Sequence, residues 1–112
     1  MVTYANEAEA HAGGFSFEHD AERHRFVVLQ RRDAGEDRVV GEAHYTLLGD
    51  HGIDFDHTFV TPSMRGTGLS DLLAAHALTD ELVHGRKIQA SCWFIDAYLS
   101  KHPDVVRGGA GS

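Results

Sequence analysis

One short segment of the chain has the composition of an anion-binding loop. It is the basic, glycine-containing sequence Arg65-Gly66-Thr67-Gly68, which lies between a strand-like run that ends at Pro62 and an amphipathic helical pattern. The first N–H groups of a helix have no partner within the helix, and the helix dipole is positive there. Glycine has no Cβ, so its backbone can come close to a ligand. This order of elements predicts a site for the pyrophosphate of a nucleotide-containing cofactor.

Three further side chains have the types needed for acid–base or nucleophilic chemistry. Cys92 precedes a second helix, whose N-terminus would favour a reactive thiolate. Two roles are open for it: a nucleophile or proton donor, and a small buried apolar residue. Tyr98, one turn into that helix, either donates a proton or packs in the core. Histidine can act as a base near neutral pH. Strand alternation, however, places His57 on the face of Ile53 and Phe55, so a hydrogen-bonded structural histidine is the alternative.

Acids and histidines also cluster between Asp50 and His57. Their spacing matches no zinc signature, and alternation puts Asp54 and Asp56 opposite the apolar Ile53. The pattern therefore predicts a solvated strand face and no metal site. A histidine-rich metal-binding or pH-responsive protein is kept as a rival function, because the chain has nine histidines.

Hydrophobic periodicity predicts the elements that position these residues. Strands are expected over 25–31, 39–48, 53–61 and 87–92, helices over 68–84 and 94–101, and a short edge strand within 15–24. The order β-β-β-α-β-α predicts an α/β (α+β) domain with a mixed, mostly antiparallel sheet and a right-handed crossover helix. The last strand would lie parallel to the third, and a cleft would open beside the helix N-terminus.

Length and composition restrict the class of protein. With 112 residues and a formal charge of −7, the chain is one acidic domain, which argues against a nucleic-acid partner. We expect a domain over 15–107, a flexible extension over 1–14 and a flexible tail over 108–112. The absence of a secretory signal and of a long apolar run, together with a single cysteine, predicts a cytoplasmic protein without membrane contact. The exposed sheet edge leaves a homodimer open.

Several motifs, taken in order, resemble a group of very small proteins in the GNAT superfamily of acetyl-CoA-dependent N-acetyltransferases. The resemblance covers roughly residues 24–107. Its motifs are His57-Thr58-Phe59-Val60, Arg65-Gly66-Thr67-Gly68, Cys92-Trp93-Phe94, Tyr98 and His102-Pro103-Asp104. It implies a minimal GNAT-like fold that binds acetyl-CoA in the cleft beside residues 58–70.

The resemblance also implies roles for individual residues. Those that would bind acetyl-CoA or coenzyme A are Thr58, Phe59, Val60, Arg65, Gly66, Thr67, Gly68, Leu69, Ser70 and Phe94. The catalytic candidates are Cys92, Tyr98 and His57. The implied reaction transfers an acetyl group to a small-molecule or lysine amine by direct attack in a ternary complex, with an acetyl-enzyme on Cys92 as the lesser route. Phe59 stands where many relatives carry glutamate, which favours the alternative of a non-catalytic CoA-binding or regulatory module.

Overall fold

A computed structural model describes residues 3–32 and 35–103. The helices are α1 Glu7–Ala12, α2 Leu69–Leu78 and α3 Trp93–Lys101, and the strands are β1 Phe15–Asp20, β2 Arg25–Gln30, β3 Arg38–Leu48, β4 Gly52–Val60 and β5 Lys87–Ala90. Among these residues, none of the helices combines the length and the apolar character needed to cross a bilayer. The tail predicted over 108–112, and Asp104 of the last motif, lie outside the described residues.

The five strands form one sheet in the order β1-β2-β3-β4-β5. Neighbouring strands are antiparallel from β1 to β4, whereas β5 is parallel to β4 and is reached through the crossover helix α2. The predicted fold class, a mixed and mostly antiparallel sheet with a crossover helix, is confirmed. The edge strand expected within 15–24 is β1, which pairs with β2 along its whole length, and α1 is an additional element that was not predicted.

The core lies between one face of this sheet and the helix α2. Leu69, Leu73 and Ala77 recur along α2 at helical spacing and are almost completely buried, as are Phe26 and Phe55 on the sheet. Burying a leucine of this kind contributes roughly 1.5–3 kcal/mol. Because Leu69 is the first residue of α2, this packing also fixes the position of the helix N-terminus beside the glycine loop.

Helix α2 ends at Leu78, earlier than the predicted end at residue 84. The hydroxyl of Thr79 donates to the carbonyl oxygen four residues before it at 2.7 Å. The Asp80 side chain accepts from the backbone N–H two residues later at 2.9 Å, which caps a separate 3₁₀ turn, Glu81–Val83. Short polar side chains therefore compete with the helical ladder at this point and stop the helix.

Residues 3–14, which belong to the segment expected to be a flexible extension, are packed against the domain. Helix α1 starts with a side-chain cap, in which Asn6 accepts from the backbone N–H of Glu9 at 2.9 Å. Ala10 is fully buried, and the ring of Tyr4 meets the ring of Phe15 edge to face, with 5.6 Å between centroids. Because α1 has so few apolar residues, it shows no helical periodicity. The sequence therefore did not predict this helix.

Strand β4 contains a bulge that decides where its side chains point. Phe55 lies opposite Tyr45, but His57 lies opposite His44, so Asp56 is an extra residue on β4. An extra residue shifts the alternation by one position. His57 is therefore exposed on the open face of the sheet, and the prediction that it shares the buried face of Phe55 is wrong.

Candidate active site

Strands β4 and β5 separate after a short paired stretch and leave a cleft. The pairing ends at Phe55 and Ala90, where the N–H of Cys92 donates to the carbonyl oxygen of Phe55 at 3.0 Å. Beyond this point β4 continues with β3 on one side and the cleft on the other. The cleft has a volume of about 540 Å³ and is lined by Asp56, His57, Thr58, Phe59, Val60, Arg65, Ser70, Cys92, Trp93 and Phe94.

The edge of β4 offers backbone hydrogen-bonding groups to this cleft. The N–H of Thr61 donates to the carbonyl oxygen of Val40 on β3 at 2.9 Å. Because hydrogen-bonding direction alternates along a strand, Thr58 and Val60 present their N–H and C=O groups to the opposite side, which is the cleft. An extended ligand that contains amides can pair with such an edge as an added strand.

The glycine loop lies at one end of the cleft. Gly66 and Gly68 have φ values of +82° and +84°, a left-handed conformation that favours glycine, and α2 begins at the next residue. The N-cap residue of α2, Gly68, has no side chain that could cap the helix. The exposed Arg65 and the hydroxyl of Ser70 both line the cleft at this end. A guanidinium, a hydroxyl and the N-terminal end of a helix dipole together suit an anion.

Two of the predicted coenzyme contacts, Thr67 and Leu69, face the protein interior instead. The hydroxyl of Thr67 donates to the carbonyl oxygen of Met64 at 2.5 Å and accepts weakly from the N–H of Leu69 at 3.4 Å. The side chain of Leu69 is 1% exposed. These two residues hold the shape of the loop and do not line the cleft.

The segment before α1 supports the same loop from outside. The N–H of Tyr4 donates to the carbonyl oxygen of Thr67 at 2.8 Å. The hydroxyl of Thr3 donates to the carbonyl oxygen of Gly66 at 3.4 Å. A Cβ added to Gly68 would lie only 2.7 Å from the carbonyl oxygen of Tyr4. This contact occupies carbonyl groups of the loop. No local sequence signal could have shown it, because Thr3 and Gly66 are 63 positions apart.

Cys92 lies in the cleft at the N-cap of α3. Its thiol donates to the hydroxyl oxygen of Thr58 at 3.3 Å, which links the start of α3 to β4 across the cleft. Phe94, also predicted as a coenzyme contact, lines the cleft from the first turn of α3. The structure therefore brings Cys92, Thr58 and Phe94 together in the lining of one cleft.

Tyr98 lies in an adjoining hollow and not in the cleft itself. That hollow, of about 160 Å³, is lined by Asp71, Trp93, Phe94, Ala97, Tyr98, Lys101 and His102, and it shares Trp93 and Phe94 with the cleft. Burial raises the pKa of the Tyr98 phenol, and the carboxylate of Asp71 raises it further. The hydroxyl therefore keeps its proton at neutral pH.

A row of ionisable side chains on the open face of the sheet ends at His57, and the sequence motifs did not predict it. The rings of His57 and His44 are 5.8 Å apart, and Nε2 of His44 lies 3.4 Å from a carboxylate oxygen of Glu42. Glu42 pairs with Arg25, which also bonds to Asp20 at 2.9 Å. The hydrogen bond from Arg25 holds the pKa of Asp20 below its usual value, and Asp20 in turn raises the pKa of Arg25. Strand alternation already placed Glu42 and His44 on one face.

The acids of the predicted solvated strand face take part in local hydrogen bonds. The Asp54 carboxylate accepts from the backbone N–H and the hydroxyl of Ser91, both at 2.8 Å. The Asp56 carboxylate accepts from the hydroxyl of Thr46 at 2.6 Å and also lines the cleft. Within residues 3–32 and 35–103, no group of three or more potential metal ligands is gathered.

Comparisons with known proteins agree on one family. Residues 25–107 match the family model for GCN5-related N-acetyl-transferase. Protein NATD1 of Mus musculus is 33% identical over 91 residues, which cover 81% of this chain and 79% of that protein. Protein NATD1 of Homo sapiens is 34% identical over 86 residues, which cover 77% and 73%. No solved structure matches. The region matched to the family contains the cleft, the glycine loop and α3.

Proposed function

The chain belongs to the GCN5-related N-acetyltransferase family, and from this we propose that it binds acetyl-CoA in the cleft and transfers the acetyl group to an amine. One observation carries the proposal. The cleft that opens where β4 and β5 separate ends at the N-terminus of α2, with Arg65 and Ser70 in its lining. An anion-binding end and an amide-pairing edge in one cleft match the two halves of a coenzyme A molecule.

The groups that would hold the coenzyme follow from this geometry. Arg65, the hydroxyl of Ser70 and the N–H groups that follow Leu69 in the first turn of α2 would bind the pyrophosphate. The backbone of Thr58 and Val60 would pair with the amides of the pantetheine arm. Hydrogen bonds to charged groups contribute about 1.5–3 kcal/mol each, so the pyrophosphate end would supply much of the affinity.

The chemistry that acetyl-CoA supplies is a thioester that an amine can attack. A bond forms between the amine nitrogen and the carbonyl carbon, the carbon–sulfur bond breaks, the nitrogen loses a proton, and coenzyme A leaves as a thiol. His57 is the group on the open face that would accept the proton of the amine, and its exposure lets it pass that proton to water. Tyr98, which is protonated at neutral pH, would supply a proton to the sulfur. Positioning the two substrates contributes up to ~7–11 kcal/mol of barrier reduction in favourable cases.

Cys92 has a supporting role in this proposal, because its thiol is a hydrogen-bond donor to Thr58. A hydroxyl oxygen at 3.3 Å does not remove the proton of a thiol, so this contact does not activate Cys92 as a nucleophile. Direct attack by the amine, with both substrates bound, is therefore the preferred route over an acetyl-enzyme.

The proposal is tested by calorimetric titration with acetyl-CoA. The Arg65→Glu variant should bind at least about tenfold more weakly than the wild type, because it loses charge-assisted bonds and adds an anion to the site. Arg38→Glu is the matched control: it makes the same charge change at an exposed residue outside the cleft and should bind normally. Equal affinity in Arg65→Glu and the wild type would overturn the assignment of the coenzyme site.

A non-catalytic CoA-binding module is the second candidate. The observation that favours it is Phe59, an apolar side chain in the cleft beside the region where the amine would be deprotonated. Release of coenzyme A during incubation with a panel of primary amines separates the two functions. Tight acetyl-CoA binding without amine-dependent release would favour the binding module.

A further inference from the structure

Two exposed aromatic side chains lie on the lining of the cleft. Trp93 is 78% exposed and Phe59 is 43% exposed. The large exposed apolar side chains of the described residues are these two, Val39 and Leu48, and the latter two are not in the cleft lining. Phe59 comes from β4 and Trp93 from the first residue of α3, so the aromatic groups belong to the two walls of the cleft. Large apolar side chains that are exposed together in a cleft indicate a ligand-contacting surface.

The side chain of Phe59 lies on the open face of the sheet and not at the strand edge with which the coenzyme would pair. It lies opposite Glu42, on the open face that also carries His57. The coenzyme would pair with the edge of β4 through the backbone of Thr58 and Val60, whereas the backbone of Phe59 is directed to β3. A ring that contacts Phe59 would therefore belong to the second substrate.

One carboxylate in the cleft is available to a cation. Asp56 is exposed on the open face, three residues before Phe59. Its Oδ2 accepts from Thr46 at 2.6 Å, while its Oδ1 has no hydrogen-bond partner among the described residues. The bond to Thr46 orients the carboxylate, and the free oxygen can accept from an ammonium group.

We propose that the acceptor is a primary amine carried on an aromatic group, with Phe59 and Trp93 contacting the ring and Asp56 binding the ammonium form. This inference rests on the proposed function and names the substrate class of the same cleft. Asp56 receives the charged amine, and His57, the next residue, accepts its proton before attack. The aromatic pair then selects among amines by apolar burial.

Trp93 makes this binding directly observable, because it is the only tryptophan of the chain. The complex of the protein with coenzyme A is titrated with 2-phenylethylamine while tryptophan emission is followed. We expect a saturable blue shift as the indole leaves water. Ethylamine lacks the ring and 2-phenylethanol lacks the ammonium group. Each should bind at least about tenfold more weakly than 2-phenylethylamine. Equal affinity for the three compounds, or no change in emission with any of them, would overturn the proposal.

Two variants test the contact with the ring and the contact with the ammonium group separately. Phe59→Ala should weaken 2-phenylethylamine about tenfold and leave ethylamine unchanged. Asp56→Asn should weaken 2-phenylethylamine and leave 2-phenylethanol unchanged. Leu48→Ala removes an equally exposed apolar side chain outside the cleft and should change neither. If Phe59→Ala weakens all three compounds alike, the ring is not bound by Phe59 and the assignment is wrong.

The outcomes also distinguish this inference from the proposed function. If acetyl-CoA binds and amines are acetylated without preference for the ring, only the acceptor class is wrong. If acetyl-CoA does not bind, the proposed function and the acceptor class are both wrong. If 2-phenylethylamine binds and is not acetylated, the cleft recognises the amine but the catalytic proposal is wrong.

Discussion

The thiol of Cys92 lies 3.3 Å from the hydroxyl oxygen of Thr58, a contact that joins the first residues of α3 to the strand on the other wall of the cleft. It is a bond between two polar side chains that are both partly buried. Breaking this hydrogen bond costs about 1 kcal/mol of stability, as for an ordinary hydrogen bond. This places Cys92 among the groups that shape the cleft.

For Cys92→Ala we therefore predict that kcat falls by less than about tenfold. Cys92→Ser, which keeps a donor for Thr58, should lie closer to the wild type. Intact-mass analysis of wild-type protein quenched during turnover should show no acetyl group on Cys92. An acetylated Cys92, together with a loss of more than about a thousandfold in Cys92→Ala, would establish the covalent route instead.

For His57→Gln we predict a fall in kcat/KM of about 10²–10⁴, the usual contribution of a general base. The measurement compares kcat/KM of the wild type and the variant. His51→Gln is the control, since His51 is an exposed histidine outside the cleft lining. An unchanged kcat/KM in His57→Gln would exclude His57 as the base.

Tyr98→Phe should lower kcat by about 10² or more without a comparable change in KM, because the hydroxyl is proposed to act only on the leaving sulfur. The raised pKa of Tyr98 has a consequence for stability as well. A phenol whose pKa is raised by folding contributes stability below its ordinary value of 10.0, and this is lost as the pH rises through the raised value. Denaturant unfolding in the alkaline range should therefore be less pH-dependent in Tyr98→Phe than in the wild type.

Gly68→Ala tests the contact between the glycine loop and Tyr4. Any L-residue at φ +84° is strained, and here the new Cβ would also meet the Tyr4 carbonyl oxygen at 2.7 Å. Gly85→Ala is matched in conformation, with φ +78° and no atom within 4 Å of the new Cβ. We expect Gly85→Ala to lose about 1–2 kcal/mol of the free energy of unfolding and to bind acetyl-CoA normally. Gly68→Ala should lose more stability and also bind more weakly; equal behaviour of the two variants would show that the contact is unimportant.

The pair of Asp20 and Arg25 should contribute to stability only above the acid range. Arg25 lowers the pKa of Asp20, so the contribution is present above the ordinary value of 3.8 and is lost as the pH falls through the lowered value. Urea unfolding should show Asp20→Asn to be less stable than the wild type at pH 7, with the difference shrinking below about pH 4. Asp50→Asn, at an exposed turn, should match the wild type throughout.

The sequence was sufficient for features that depend on local chemistry. The glycines at 66 and 68, the proline at 62 and the spacing of leucines after Gly68 located the loop and the start of α2. These are steric and periodic signals, and each is contained within a few residues. The fold class followed from them because short antiparallel strands and one crossover leave few arrangements.

Features that depend on pairing between distant residues were not predictable in this way. The extra residue Asp56 belongs to the register between β3 and β4, and alternation within β4 alone assigned His57 to the wrong face. The bond from Tyr4 to Thr67 likewise joins residues that carry no shared pattern. The glycine loop could thus be located from sequence, but the orientation of the proposed base and the outer support of the loop could not.

The region that matches the family begins later in the chain than the folded structure does. The family match begins at residue 25, whereas Tyr4, which supports the glycine loop, and β1, which covers the edge of β2, come before it. A fragment cut at the homology limit would leave β2 as a bare edge and remove Phe15 from its contacts in the core. Such a fragment would be prone to edge-to-edge aggregation, and its failure to bind a coenzyme would say nothing about the intact chain.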